Sequence, residues 1–266
     1  MLFSVSELEG FEIVATDGEI GTVEQVYFDD ERWAVRYIVV STGSWLSGRQ
    51  VLISPFSVMR VDRKQRRMSV TLTRSQVENS PNIDTQKPVT RQIEANHLDH
   101  YGYPYYWGGS FLWGVEDRPV LTSAQSATVA ASADSTSGSP TSDGTAAELS
   151  LNAEDFHLRS TFEVVGYHIE ASDGQIGHVE DFIVDDDSWA IRYLAIDTRN
   201  WLPGKKVLVS PLWISSIDWA EGKVHVNLSC DGVKQSPLYD YSKLPSREYE
   251  KQLHGHYGQD GYWVSR

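Results

Sequence analysis

Asp17-Gly18-Glu19-Ile20-Gly21-Thr22-Val23-Glu24 is followed, beyond the acidic turn Asp29-Asp30-Glu31, by Trp33-Ala34-Val35-Arg36-Tyr37. The pattern returns at an offset of 156, as Asp173-Gly174, Ile176-Gly177, Val179-Glu180, Trp189-Ala190 and Arg192-Tyr193. Downstream, Trp45-Leu46 and Gly48 answer Trp201-Leu202 and Gly204, and Ser54-Pro55 answers Ser210-Pro211. The register holds through Ser80-Pro81 and Ser236-Pro237, then His100-Tyr101-Gly102 and His256-Tyr257-Gly258. It ends at Tyr106-Trp107 and Tyr262-Trp263. Self-similarity at one fixed offset marks a duplicated structural unit.

Within one copy, Glu19 to Asp29 alternates small or polar residues with Ile20, Val23, Val26 and Phe28, and predicts a long strand. Trp33 to Ser41 predicts a second, apolar on both faces except for the interleaved Arg36. Thr42 to Gly48 is a turn, and Gln50 to Ile53 a short strand ended by Ser54-Pro55. Val58 to Val61 and Met68 to Leu72 flank a hairpin tip. Thr73 to Asn79 predicts a short helix or turn. Thr90 caps a helix to about Asp99, with Ser246 capping its counterpart. The fold class is therefore mainly β: two small barrels in tandem, each followed by a short helix and an aromatic C-terminal segment. The expected divisions are 1–113 for the first repeat and 151–266 for the second. Residues 114–150 join them, poor in apolar side chains and rich in Ser, Thr and Ala, and are expected to be a flexible linker.

The 266 residues suit two compact domains. The formal charge of −14 repels phosphate backbones, so nucleic acid is not an expected partner, nor is a bare anionic membrane. The run Arg63-Lys64-Gln65-Arg66-Arg67 is absent from the second copy, which has Trp219-Ala220-Glu221-Gly222-Lys223, and reads as a solvated tip. The one cysteine, Cys230, cannot form an intrachain disulfide and fits a reducing compartment. No basic and apolar leader opens the sequence, and no apolar run nears the ~20 residues of a membrane helix, so a cytoplasmic protein without an integral membrane segment is expected.

In this order, and twice, the motifs resemble the PRC-barrel family: Asp-Gly, Ile-Gly-x-Val, an acidic turn, Trp, Arg-Tyr, Trp-Leu-x-Gly and Ser-Pro. The resemblance covers roughly residues 1–82 and 157–238. It implies a small β-barrel that works by contacting other proteins, as in the reaction-centre H subunit and the ribosome maturation factor RimM. The H subunit carries a membrane helix ahead of its barrel, and no stretch of this sequence is expected to form one. The barrel is also paired with itself rather than with RimM's different N-terminal domain.

Charged residues in strands need partners, and Glu24 with Arg36, and Glu180 with Arg192, are expected to form cross-strand ion pairs. The acidic turns at Asp29 to Glu31 and Asp185 to Asp187 lack the alternating ligands of a calcium loop and read as solvated. His97-x-x-His100 and His254-Gly-His256 have metal-like spacing, but His97 faces Leu253 in the alignment and His254 faces Leu98. A site built by the module should repeat with it, so no metal or cofactor is expected. No nucleophile elbow or phosphate loop is present, and an enzyme is not expected.

Aromatic residues in turns and tails remain as candidate partner contacts: Trp45, Leu46, Trp201, Leu202, Tyr103, Tyr105, Trp107, Trp113 and Trp263. Each tail either covers a barrel or meets a partner. The reading is of a non-enzymatic adaptor binding other proteins, with its two barrels paired within the chain. A small-ligand or ion sensor with a pocket between the barrels is a second reading. An accessory subunit of a photosynthetic or other membrane complex is a third, by family analogy alone.

Overall fold

The computed structural model describes residues 1–83, 89–121, 156–198 and 206–264. Most of the expected linker, and the Trp201-Leu202 turn, lie outside the described residues. Among the described residues the fold is mainly β, with two seven-stranded sheets.

The chain divides into two compact units that do not follow the repeat boundary. One comprises Leu8–Arg159; the other joins Met1–Glu7 to Ser160–Arg266. They are called here the 8–159 unit and the 160–266 unit.

In the 8–159 unit the strands are β2 (Glu12–Ala15), β3 (Gly18–Asp29), β4 (Ala34–Ser41), β5 (Gln50–Ile53), β6 (Val58–Asp62) and β7 (Arg67–Val70), counting Leu2–Ser4 as β1. Their order is β5-β4-β3-β2-β7-β6, and β8 (Leu158–Ser160) adds to β3. Neighbours run antiparallel except β2 and β7, which are parallel. β3 serves three partners because it is long and broken by bulges, near Glu24 and between Tyr27 and Phe28 against β4. Every residue of β4 from Ala34 to Val40 is buried, Arg36 included, as its two-sided apolar pattern predicts. Tyr27, Tyr37, Val39 and Leu52 form one core cluster with Val89 and Leu158.

The 160–266 unit repeats this order. Its strands are β9 (His168–Ala171), β10 (Gly174–Asp185), β11 (Ile191–Asp197), β12 (Lys206–Val209), β13 (Ile214–Asp218) and β14 (Lys223–Val226). They run β12-β11-β10-β9-β14-β13, with β1 paired to β10. β1 thus fills the place in this unit that β8 fills in the other: Leu2 pairs with Asp185 and Ser4 with Ile183. The sequence pattern gave no sign of this exchange, because three residues are too few to show a period.

The repeated motifs have local causes. A Cβ on Gly21 would lie 1.9 Å from the Ser41 carbonyl oxygen, and one on Gly177 would lie 2.1 Å from that of Asp197. The Ile-Gly pair therefore marks a close strand approach that excludes any side chain. Ser54 and Ser210 cap one-turn helices by accepting from the Phe56 and Leu212 amides, with Pro at the first position. Trp33 and Trp189 both close the acidic hairpin with positive φ, 54° and 57°. Their rings are held against Phe28 and Phe3 respectively. Thr73 forms a capping box with Gln76 at helix α2 (Arg74–Glu78), taking Val5–Leu8 as α1. Thr90 caps α3 (Arg91–Tyr101). In the other unit α4 is Thr161–Val164, α5 Cys230–Gln235 and α6 Arg247–His256, the last capped by Ser246.

Candidate functional site

Arg36 does not pair with Glu24, nor Arg192 with Glu180. The β3–β4 register sets Glu24 at the bulge beside Val39 and Val40, whereas Arg36 lies beyond Tyr37, toward the hairpin end. Glu24 is exposed and accepts from the Gln50 side chain of β5, while Glu180 pairs with Lys206 of β12 at 2.6 Å. Arg36 is fully buried and bonds Asp29 at 3.1 Å. Asp29 is therefore not a solvated turn residue: its second oxygen accepts the Glu31 and Arg32 amides, and its carboxylate is 2% exposed. Arg192 is looser, 4.0 Å from Asp185 and 3.0 Å from the Ser188 hydroxyl.

The aromatic tail covers this arginine. The Tyr106 ring centroid lies 3.8 Å from the Arg36 guanidinium carbon and that of Trp113 4.6 Å. Tyr106 donates its hydroxyl to Glu94 of α3 and accepts from Arg91 at 2.5 Å, and Arg91 also bonds Glu94 at 3.1 Å. The other unit repeats the arrangement. Tyr262 covers Arg192 at 3.9 Å and donates to Glu250 at 2.8 Å. Glu250 accepts from Tyr193 and pairs with Arg247. Asp29, Arg36, Tyr37, Arg91, Glu94 and Tyr106 all return at the same offset as Asp185, Arg192, Tyr193, Arg247, Glu250 and Tyr262. That repetition is the sequence signal for the set, carried by four charged residues and two tyrosines.

Burial raises the Glu94 carboxyl to about 7 against the pull of Arg91 and the Tyr106 hydrogen bond. Burial lowers His97 to about 3, where its ring meets Tyr37 and Tyr101 edge-on. His100 and His256 each bond a backbone carbonyl, of Gln76 and Gly232, and so tie the capped helices together.

The tail has two faces. Tyr103, Tyr106 and Trp113 are buried, with Tyr103 and Trp113 packed on Phe56. Tyr103 and Trp113 are thus core residues rather than partner anchors. Tyr105 is 40% exposed and Phe111 51%. Tyr105 stacks flat on the half-buried Trp107, whose ring also lies 4.7 Å from Arg91. Trp263 is half-buried between His254 and Arg247. Trp45 and Leu46 are half-buried. Trp45 donates to the Ile20 carbonyl, and Arg74 lies 4.4 Å over its ring. Beside it opens a cavity of about 450 Å³ lined by Glu19, Ile20, Thr42, Ser44, Trp45 and Arg74 among others. The basic tip is mostly engaged: Arg67 pairs with Glu12 at 2.7 Å, and Arg66 bonds the Glu9 carbonyl over the Phe11 ring. Among the described residues, no helix is long and apolar enough to cross a membrane.

Residues 1–77 match the family model described as the PRC-barrel domain. A comparison with curated proteins gives no match. Among solved structures, the chain is similar to a 16S ribosomal RNA processing protein, RimM, from Pseudomonas aeruginosa, at 17% identity and a TM-score of 0.24. That match covers 27% of this chain and 45% of the RimM chain, under half of its length. The PRC-barrel match thus falls on the first copy of the repeat, and the strand order of that copy recurs in the second unit.

Proposed function

We propose that the chain is a non-enzymatic adaptor that binds another protein through the outer face of its first aromatic tail. The observation that carries this reading is the division of the tail. Its inner side is fixed by Trp113 and by the Tyr106–Glu94–Arg91 bonds, which leaves Tyr105 and Phe111 outward. Aromatic side chains already held in place lose little entropy on binding and are frequent interface anchors. The backbone beneath Phe111 is also fixed, since Arg32 donates to the carbonyls of Phe111 and Gly109.

The test compares the wild-type chain with a Tyr105→Ser, Phe111→Ser variant as immobilised bait in lysate of the source cells. The expected result is a protein retained by the wild type and lost by the variant, with the variant's melting temperature within about 2 °C of wild type. Equal retention by both overturns the reading, and so does a variant that no longer folds.

A further inference from the structure

We infer that the barrels of this chain are closed by an exchangeable N-terminal strand, and that a second copy of the chain can supply it. The partner is chemically defined: the first half of one copy fits the second half of another.

The seat of β1 is a built strand site. Leu2 and Phe3 are buried in it, and Phe3 meets the Trp189 ring at 5.5 Å. Asp181, 2% exposed, accepts from the Ser4 and Ser6 hydroxyls, the Ser6 amide at 3.1 Å and Tyr241 at 2.8 Å. The seat of β8 is its counterpart. Leu158 joins the core, and Arg159 bonds Asp30 at 2.8 Å. Each strand is covalently continuous with the unit it does not complete, at Glu7–Leu8 and at Arg159–Ser160. Recognition of the strand is thus separate from the chain that carries it, which is the condition for domain swapping.

The two locks are not interchangeable. The counterpart of Asp181 is Gln25, and that of Arg159 is Phe3. Pairing first half with first half would set Ser4 and Ser6 against an amide and place Phe3 at Asp30. Pairing first half with second keeps both carboxylate contacts. Residues 122–155 connect Leu121 to the segment bearing β8. Fully extended, that length reaches on the order of 100 Å, enough for closure within one chain or between two. The tether raises the local concentration of the intrachain strand, so the exchanged form is favoured only at high protein concentration.

The test uses full-length chains carrying Cys230→Ser. One tagged copy carries Ser4→Cys and a differently tagged copy Ile183→Cys, positions directly paired in the register. A chain with both substitutions is the control, expected to form an intrachain disulfide. The two copies are unfolded together, refolded over a range of concentrations and oxidised. The expected product is a disulfide-linked pair at twice the 29.9 kDa chain mass, rising with concentration and absent from dilute refolding. Larger species without the link, alongside a locked control, overturn the inference. Light scattering on the unsubstituted chain gives a second reading: a single chain mass at every refolding concentration also overturns it.

Discussion

At the scale of single residues, the two copies use one design at different depths. Arg36 is buried with Asp29 as its carboxylate, so Asp29→Asn leaves a guanidinium charge uncompensated in the core. A loss of about 3–5 kcal/mol is expected in urea unfolding. The matching Asp185→Asn acts on Arg192, whose side chain is 23% exposed and only 4.0 Å away at closest approach, and is expected to cost less than about 1 kcal/mol. Equal losses would show that depth does not decide the role of this pair. Glu94 and His97 add a pH dependence with opposite signs. Glu94 is raised to about 7, so the folded state holds an extra proton from the unfolded value near 4.5 up to about 7, and stability falls as pH rises through that window. His97 is lowered to about 3, so the unfolded state holds the extra proton from about 3 to 6.5, and stability rises with pH there. The two slopes oppose each other between about 4.5 and 6.5. Glu94→Gln is expected to expose the rising slope in urea titrations at stepped pH, and His97→Phe the falling one. A profile unchanged by both substitutions would refute the assignment.

At the scale of elements, the glycine of the Ile-Gly motif governs how closely β3 approaches β4. Gly21→Ala places a methyl 1.9 Å from a backbone oxygen, and no rotamer change relieves a clash with backbone. A loss of about 2–4 kcal/mol is expected, and the same for Gly177→Ala. Gly43→Ala is the contrast: nothing lies within 4 Å, and only its φ of +59° opposes the substitution, for about 1 kcal/mol. Thermal unfolding of the three variants separates steric from conformational cost. These elements also show what was legible. The long strand, the buried β4, the capped helices and the Ser-Pro turns could be read because alternation and capping are local signals. The Glu24–Arg36 pairing expected from neighbouring strands fails because two bulges shift β3 against β4. The run of acids around Asp29 carries a solvated-turn pattern, whereas the hairpin geometry points Asp29 at Arg36. The tails' double face was out of reach: which of Tyr103, Tyr105 and Tyr106 turns inward depends on Phe56 and Arg36, far away in sequence.

At the scale of the whole chain, the compact units are not the sequence repeats, and Asp181 is where that difference can be probed. It gathers Ser4, Ser6 and Tyr241 onto one buried carboxylate, so it fixes β1 more firmly than three strand pairs alone would. Asp181→Ala removes the acceptor and leaves those donors without it, at about 1–3 kcal/mol for the loss. The effect should be local, because β1 is a short terminal strand that opens before the rest of its sheet. Hydrogen exchange followed by mass spectrometry is expected to show residues 2–4 exchanging about fivefold to a hundredfold faster, since tenfold corresponds to about 1.4 kcal/mol. β2 to β7 should keep wild-type protection, because their unit is closed by β8 through Leu158 and Arg159 instead. Uniformly faster exchange over both sheets would mean that Asp181 supports the whole chain and not one strand. Unchanged exchange at residues 2–4 would mean that burial of Leu2 and Phe3 alone holds β1, and that the carboxylate selects which strand binds without setting how tightly it is held.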